Sequence, residues 1–526
     1  MDPKLFSRMK EISNILEVRE EGVPLSDERR ALFEEFLSVY KTYPPYWIQY
    51  IEEELNSRQY ENAERLFYRC LPNVPSVELF LLYINYVIQY KHENRITDIR
   101  EIQDVYNYAL QNVGMDMNSY PLYQQYAKFV CDHLQKDLQD GDAFEMKDIR
   151  FIYDQAMSVP MDGLKELQND YLKWELELAR NLYQTREKEI KKRFGSTAPV
   201  YHIKKKYHKQ LDYALYNEGS QLFDSIVKWH LFIEFEKSNQ LNSPPHEYKT
   251  FVTYAYRLAL TRLRYVWFFW HEYGQFLQSI GDSEEALEVY GEACEILPTN
   301  MVLAFAKAEI HEKLENIPQV EETYQHLFSV LKSQIENGAE NAKENFTLAA
   351  IQYLKFHQRI EGPISMRQYF VRALSTGFCS YHLCLAIAEI ESQRIKDKDA
   401  ALRILHYSYE KFKDDPNFIT EIIDIYVKID APKQLIELLE DSNSLEKILP
   451  PENAPKKEKD AILPLLWKLH NYVLYTCEPQ ENQLMQNITD ALKFIDDQII
   501  KYDPKENQKT MEIRRLFLSP NDINII

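Results

Sequence analysis

The chain has 526 residues, enough for several ordinary domains or one long repeat array. Its net charge of −20 argues against a protein whose whole surface coats nucleic acid, while leaving room for a local basic patch. Thirty-seven Tyr against only 12 Gly suit packed helices better than a Gly-rich barrel or sandwich, and with no run of eighteen apolar residues a soluble, intracellular protein without membrane contact is expected.

In chain order, residues 1–43 read as two lead-in helices, over 3–20 and 26–43. Ser26 stands as the N-cap of the second, ahead of Arg29, Arg30 and a Phe33/Phe36/Leu37 stripe. Pro44–Pro45 then stops the helix and begins the first repeat. That repeat, residues 46–75, is YWIQYIEEELNSRQYENAERLFYRCLPNVP. Its first helix carries Trp47, Tyr50 and Glu53 at three-residue spacing; its second carries Ala63, Phe67 and Cys70. A hairpin of about 30 residues cannot bury its own apolar face, so it must stack on copies of itself.

Copies follow along the chain. The first-helix triad recurs as Phe80/Tyr83/Tyr86, Tyr123/Tyr126/Phe129, Gln168/Tyr171/Trp174, Trp229/Phe232/Phe235, Trp270/Tyr273/Phe276 and Ala350/Tyr353/Phe356. The second-helix pair, a ring and then a small residue three positions on, recurs as Tyr106/Ala109, Tyr153/Ala156, Tyr256/Ala259, Tyr290/Ala293 and Phe370/Ala373. Two signatures in alternation are not what unrelated amphipathic helices produce. The expected fold is all-α: an α-solenoid, or superhelix, of helical-hairpin repeats in two halves. The expected division is 44–218 and 219–502, with a mobile Pro- and charge-rich loop at 442–460 and a short tail at 503–526. The run Phe194-Gly195-Ser196-Thr197-Ala198-Pro199 reads as an interruption of helix.

The tetratricopeptide pattern wants a small residue in the first helix; here that slot is usually Tyr or Phe, and an acid often follows the triad, as at Glu175 and Glu236. This is the half-a-tetratricopeptide (HAT) form, with the unit at 270–298 leaning towards the tetratricopeptide form. Taken with Gly114-Met115-Asp116 and Arg359-Ile360-Glu361-Gly362, the ordered array resembles the HAT-repeat scaffold subunits of cleavage stimulation factor, over about residues 43–494. The resemblance implies a nuclear, non-catalytic scaffold of pre-mRNA 3′-end cleavage and polyadenylation. It implies a homodimer formed through the C-terminal half. It also implies partners among the RNA-binding and WD-repeat subunits of the factor and the cleavage and polyadenylation factors. A HAT scaffold of a splicing ribonucleoprotein is the alternative. Family members usually continue into a proline-rich tail, whereas about two dozen residues follow Tyr502 here: either this is a compact version or the tail has been cut off, and capture of the RNA-binding subunit by the usual route stays open.

The sequence offers no G-x-G or G-x4-G-K phosphate loop, no H-E-x-x-H and no C-x2-C pair. His382 between Cys379 and Cys384 reads as part of a repeat helix rather than a metal site, and carboxylate runs read as solvated faces. Neither enzyme activity nor a cofactor is expected, and no ligand-spaced His/acid cluster is seen. One stretch stands apart: Arg186–Lys209 holds nine Lys/Arg, including Lys191, Lys192, Arg193, Lys204, Lys205, Lys206 and Lys209, against Glu187 and Glu189. It reads as a solvated helix surface, an RNA-phosphate contact, a nuclear-import signal or a dock for an acidic partner.

Overall fold

A computed structural model describes residues 3–17, 25–92, 98–134, 145–178, 183–212, 219–440, 449, 456–476 and 486–493; every structural statement below concerns these. All the regular structure among them is helical. The lead-in helices are α1 (Pro3–Leu16) and α2 (Asp27–Val39); α2 is shorter than expected at its C-terminus, while residues 18–20 of the first expected helix lie outside the described residues. Ser26 caps α2 by accepting the Arg29 amide proton at 3.2 Å.

Hairpins follow as α3 (Pro44–Asn56)/α4 (Tyr60–Cys70), α5 (Val77–Tyr86)/α6 (Ile99–Val113), α7 (Tyr120–Leu134)/α8 (Glu145–Ser158) and α9 (Leu164–Leu178)/α10 (Tyr183–His208). Next come α11 (Gly219–Lys237)/α12 (Pro245–Leu263), α13 (Trp267–Ser279)/α14 (Ser283–Ile296), α15 (Met301–Lys313) and α16 (Ile317–Glu336). The series continues with α17 (Ala342–Ile360)/α18 (Pro363–Ser375), α19 (His382–Ile390)/α20 (Lys398–Phe412), α21 (Pro416–Ile429)/α22 (Pro432–Glu440) and α23 (Lys456–Thr476). Helices α5 and α19 each run on into a π-helical turn, Val87–His92 and Glu391–Ile395.

The chain forms two compact units, Met1–Ile310 and His311–Ile526, so the division falls inside α15. Within the first unit, contacts of α12 tie it to the early repeats. Tyr254 donates its hydroxyl to Asp116 at 2.5 Å, and Arg257 donates to the Pro72 carbonyl at 2.9 Å. Just beyond α12, Tyr265 donates to the Val39 carbonyl at 3.3 Å. The Gly114-Met115-Asp116 motif is thus where a later helix is fastened to the early repeats.

Two expectations about irregular stretches change. Residues 194–199 lie within one continuous helix, α10, with Pro199 inside it. Pro199 leaves the Gly195 carbonyl without its helical amide, and both residues are exposed, so that group is not sealed away from solvent. Burial of Ile190, Thr197, Val200 and Lys204 along one face outweighs the local helix-breaking residues. In the expected 442–460 loop, residues 456–460 belong to α23; of the remainder only Leu449 lies among the described residues, as does no part of the 503–526 tail.

Candidate functional site

Repeat rings meet across the seams between hairpins. Phe33 of α2 stacks on Tyr50 of α3 at 4.7 Å with planes 3° apart. Tyr106 stacks on Tyr126 (4.7 Å), Tyr153 on Tyr171 (4.6 Å), Tyr256 on Tyr273 (5.1 Å), and Phe67 tilts onto Tyr83 (5.0 Å). In each case the second-helix ring of one unit meets the middle ring of the next unit's first helix, at separations favoured by aromatic pairs. The same logic brings Tyr324 to 5.1 Å from Tyr353 and 6.3 Å from Phe356. Trp47, Phe80, Trp174, Trp229, Phe232, Trp270, Tyr290 and Ala293 are buried as well, whereas Tyr83 is half-buried.

Some of the buried polar tips find partners. Trp47 and Trp270 donate their indole N–H to the carbonyls of Lys41 and Arg264, six residues upstream, both at 2.7 Å. Tyr126 and Tyr171 donate to Asn107 (3.0 Å) and Asp154 (3.2 Å), each the residue after the ring on which it stacks. Burial pushes the Tyr106 phenol up to about 12, so these rings stay neutral.

The acids that follow the triads are the feature whose role the sequence reading missed. Glu54, Glu175 and Glu391 are almost fully buried, and each receives two hydrogen bonds from an arginine of the preceding second helix. Arg30 meets Glu54 at 2.7 and 3.1 Å, Arg150 meets Glu175 at 2.8 and 3.0 Å, and Arg367 meets Glu391 at 2.7 Å twice. Each arginine sits three residues before its helix's ring: Arg30/Phe33, Arg150/Tyr153, Arg367/Phe370. A fork of N–H donors matches a carboxylate's two oxygens, so each pair fixes register between consecutive units as well as charge. Glu53, the acid in the first triad itself, pairs the same way with Arg29 at 2.7 and 2.9 Å.

The basic stretch divides along these lines. Lys204 lies three residues before Tyr207, is buried, and pairs with Glu236 at 3.0 Å. Its ammonium occupies the cation slot of a repeat interface, so it is not part of a solvated surface patch. Tyr207 in turn stacks at 5.2 Å on Phe235. Lys205 is held by Asp162 and by the Tyr201 hydroxyl, both at 2.7 Å, and these bonds raise its pKa. Lys191 pairs with Glu187 (2.7 Å) and Arg193 with Asp154 (3.3 Å). Lys192, Lys206 and Lys209 are exposed.

The unit at 270–298 explains its own small residue. A methyl group on Gly274 would lie 2.3 Å from the Tyr290 ring, so glycine lets the two helices of that hairpin close on each other. In the 379–384 stretch, Leu383, Ile387 and Ile390 are buried as expected, while burial raises the Cys379 and Cys384 thiols to about 11. His382 lies on Tyr381 (4.1 Å) and 3.3 Å from Glu421.

Contrary to the expectation of no His/acid cluster, the structure gathers two: His230 with Glu234 and Glu272, and His357 with Glu321 and Glu361. His357 and Glu361 are four apart on one helix face, a spacing legible in the sequence; Glu321 comes from another helix and is not. Burial lowers the pKa of the His357 imidazole.

Stacked helical hairpins, keyed by rings and by buried ion pairs, define the chain as a helical-repeat protein of the HAT type. Residues 9–517 match the family described as Suppressor of forked protein (Suf), and the chain belongs to that family. It is 25% identical over 417 residues to Cleavage stimulation factor subunit 77 of Arabidopsis thaliana, covering 78% of this chain and 54% of that protein. It is 26% identical over 462 residues to Protein suppressor of forked of Drosophila melanogaster, covering 77% and 58%. With the mRNA 3′-end-processing protein rna14 of Schizosaccharomyces pombe it shares 22% identity over 475 residues, covering 82% and 63%. The chain therefore spans between about half and two thirds of the length of these relatives. The crystal structure of CstF-77 superposes with a TM-score of 0.56 at 18% identity, covering 87% of this chain and 90% of that one, and shows the same fold.

Proposed function

We propose that this chain is a non-catalytic scaffold of the pre-mRNA 3′-end cleavage and polyadenylation machinery, acting in the nucleus and holding other processing factors at fixed separations. The observation that carries this reading is the family match over residues 9–517, together with relatives named as a cleavage stimulation factor subunit and mRNA 3′-end-processing proteins. These names do not favour the splicing alternative. In this reading the chain forms a homodimer through residues 219–502 and bridges RNA-binding and WD-repeat subunits. Repeat interfaces locked by rings and buried ion pairs support it, because rigid neighbours keep docking surfaces at constant distances. Dimerisation would present each surface twice and add avidity towards multivalent partners.

Affinity recovery of the native protein, with mass spectrometry of what accompanies it, tests the reading. Cleavage and polyadenylation factors are the expected companions; recovery of splicing proteins in their place would overturn it. Light scattering at micromolar concentration tests the dimer separately, and a monomer mass would refute that part.

A further inference from the structure

One repeat interface carries its charges in reverse. At four other interfaces a cation three residues before the second-helix ring faces an acid of the next first helix: Arg30 and Glu54, Arg150 and Glu175, Lys204 and Glu236, Arg367 and Glu391. Between α16 and α17 the first slot holds Glu321, three residues before Tyr324, and the second holds His357, one residue after Phe356. Glu361 joins them from the end of α17. One ligand atom of each of the three residues lies within 4.8 Å of the others. Two carboxylates and an imidazole thus face one another where those four interfaces hold a permanent cation.

His357 is 1% exposed, and neither of its ring nitrogens makes a hydrogen bond. Its Nδ1 stands 3.3 Å from Glu361 Oε2 without hydrogen-bond alignment. That separation has a simple geometric reading. Two ligand atoms about 2.0–2.1 Å from a zinc ion at the tetrahedral angle stand about 3.3 Å apart. The ring is also held in place: Tyr369 stacks on its face at 3.9 Å and Tyr353 meets it edge-on at 4.4 Å. Ser365 donates its hydroxyl to Glu361 Oε2, the kind of outer support that orients a ligating carboxylate. Glu361 is partly exposed and Glu321 half-buried, which leaves the cluster a route to solvent.

We propose that Glu321, His357 and Glu361 form a binding site for one divalent ion of the zinc class, with water completing a tetrahedral shell. One nitrogen and two carboxylate ligands suit zinc or cobalt better than magnesium or calcium, which prefer all-oxygen shells. The other His/acid cluster makes the comparison. There Lys237 lies 2.8 Å from Glu234 and 4.0 Å from Glu272, and supplies the positive charge from within the protein.

The test uses the full chain. Cobalt(II) titration should give the intense visible bands of a tetrahedral site at one equivalent per chain, and zinc should displace them. Calorimetry with zinc should give the same stoichiometry. His357→Ala and Glu321→Gln should each weaken zinc binding by more than the ~10–100-fold that loss of an outer supporting residue costs, while Glu272→Gln leaves it unchanged. Glu321→Gln replaces a half-buried carboxylate by its isostere, so it remains informative if His357→Ala fails to fold. No binding at 100 micromolar metal, or one equivalent retained at unchanged affinity in Glu321→Gln, would overturn the proposal.

Discussion

Replacing Arg150 by Met tests whether the buried ion pairs hold consecutive repeats together. The Arg150 side chain is 14% exposed and that of Glu175 is 0% exposed, and two hydrogen bonds join them. An exposed pair would be worth about 0.2–1 kcal/mol. Here removal of one partner leaves a carboxylate with no water and no counter-charge, which costs about 3–5 kcal/mol. The double variant Arg150→Met/Glu175→Leu removes both charges and should recover most of that loss, since apolar groups of similar size often substitute for a buried pair without penalty.

Because repeats contact mainly their neighbours, the readout must be local. Hydrogen exchange of amides in α8 and α9 reports the opening free energy of this interface directly. Trp174 fluorescence is a second probe, as the Arg150 guanidinium lies 5.8 Å from its ring centre. Lys191→Met, which breaks an exposed pair with Glu187, is the control and should change exchange by less than about 1 kcal/mol. If Arg150→Met and Lys191→Met cost the same, or the double variant is as unstable as Arg150→Met, the assigned role of the buried pairs is wrong.

Gly274→Ala should cost about 1–3 kcal/mol in the 270–298 hairpin, because the new methyl meets a rigid ring; a thermal melt that is unchanged would refute it. Tyr126→Ala should cost about 3–5 kcal/mol and raise exchange in α6 and α7 before α13 and α14 respond. Lys204→Glu should destabilise the α10–α11 interface by facing Glu236 with a second acid, whereas Lys206→Glu/Lys209→Glu should leave circular dichroism and melting unchanged. That exposed double variant, unlike Lys204→Glu, is a clean probe of RNA binding, nuclear entry or partner capture by the basic stretch. Burial lowers the pKa values of His271 and His470, so the unfolded chain takes up more protons below about pH 6.5. Stability should therefore fall as pH drops from 7 to 5.5, and His470→Gln should flatten the response of the unit that contains it.

The fold was legible because its signal is a repeat. Three-residue spacing of large rings, alternating with a ring and a small residue, has one economical solution, and the spacing of Tyr256, Tyr290 and Tyr324 sets the period. Local breakers read less well. Gly195 and Pro199 look like an interruption when weighed by intrinsic preference, yet burial of Thr197 and Val200 keeps α10 whole. Contacts between distant helices were not legible at all: nothing in Tyr254 or Asp116 announces a hydrogen bond between residues 138 positions apart.

Charge was the harder part, because a formula of charges says nothing about which of them are buried. Lys204 and Lys206 are equivalent in a count, yet one is sealed against Glu236 and the other lies in water. The distinguishing signal was present in the ring positions. A cation three residues before a second-helix ring, and an acid directly after a first-helix triad, are both carried to the seam between units by the same helical period that buries the rings. Buried ionic groups are costly and directional, so a seam that carries them rejects the slipped registers that apolar contacts alone would accept. His357 and Glu321 occupy those two slots with Glu361 beside them, an acid-rich arrangement in which a diffusible cation would have a structural place.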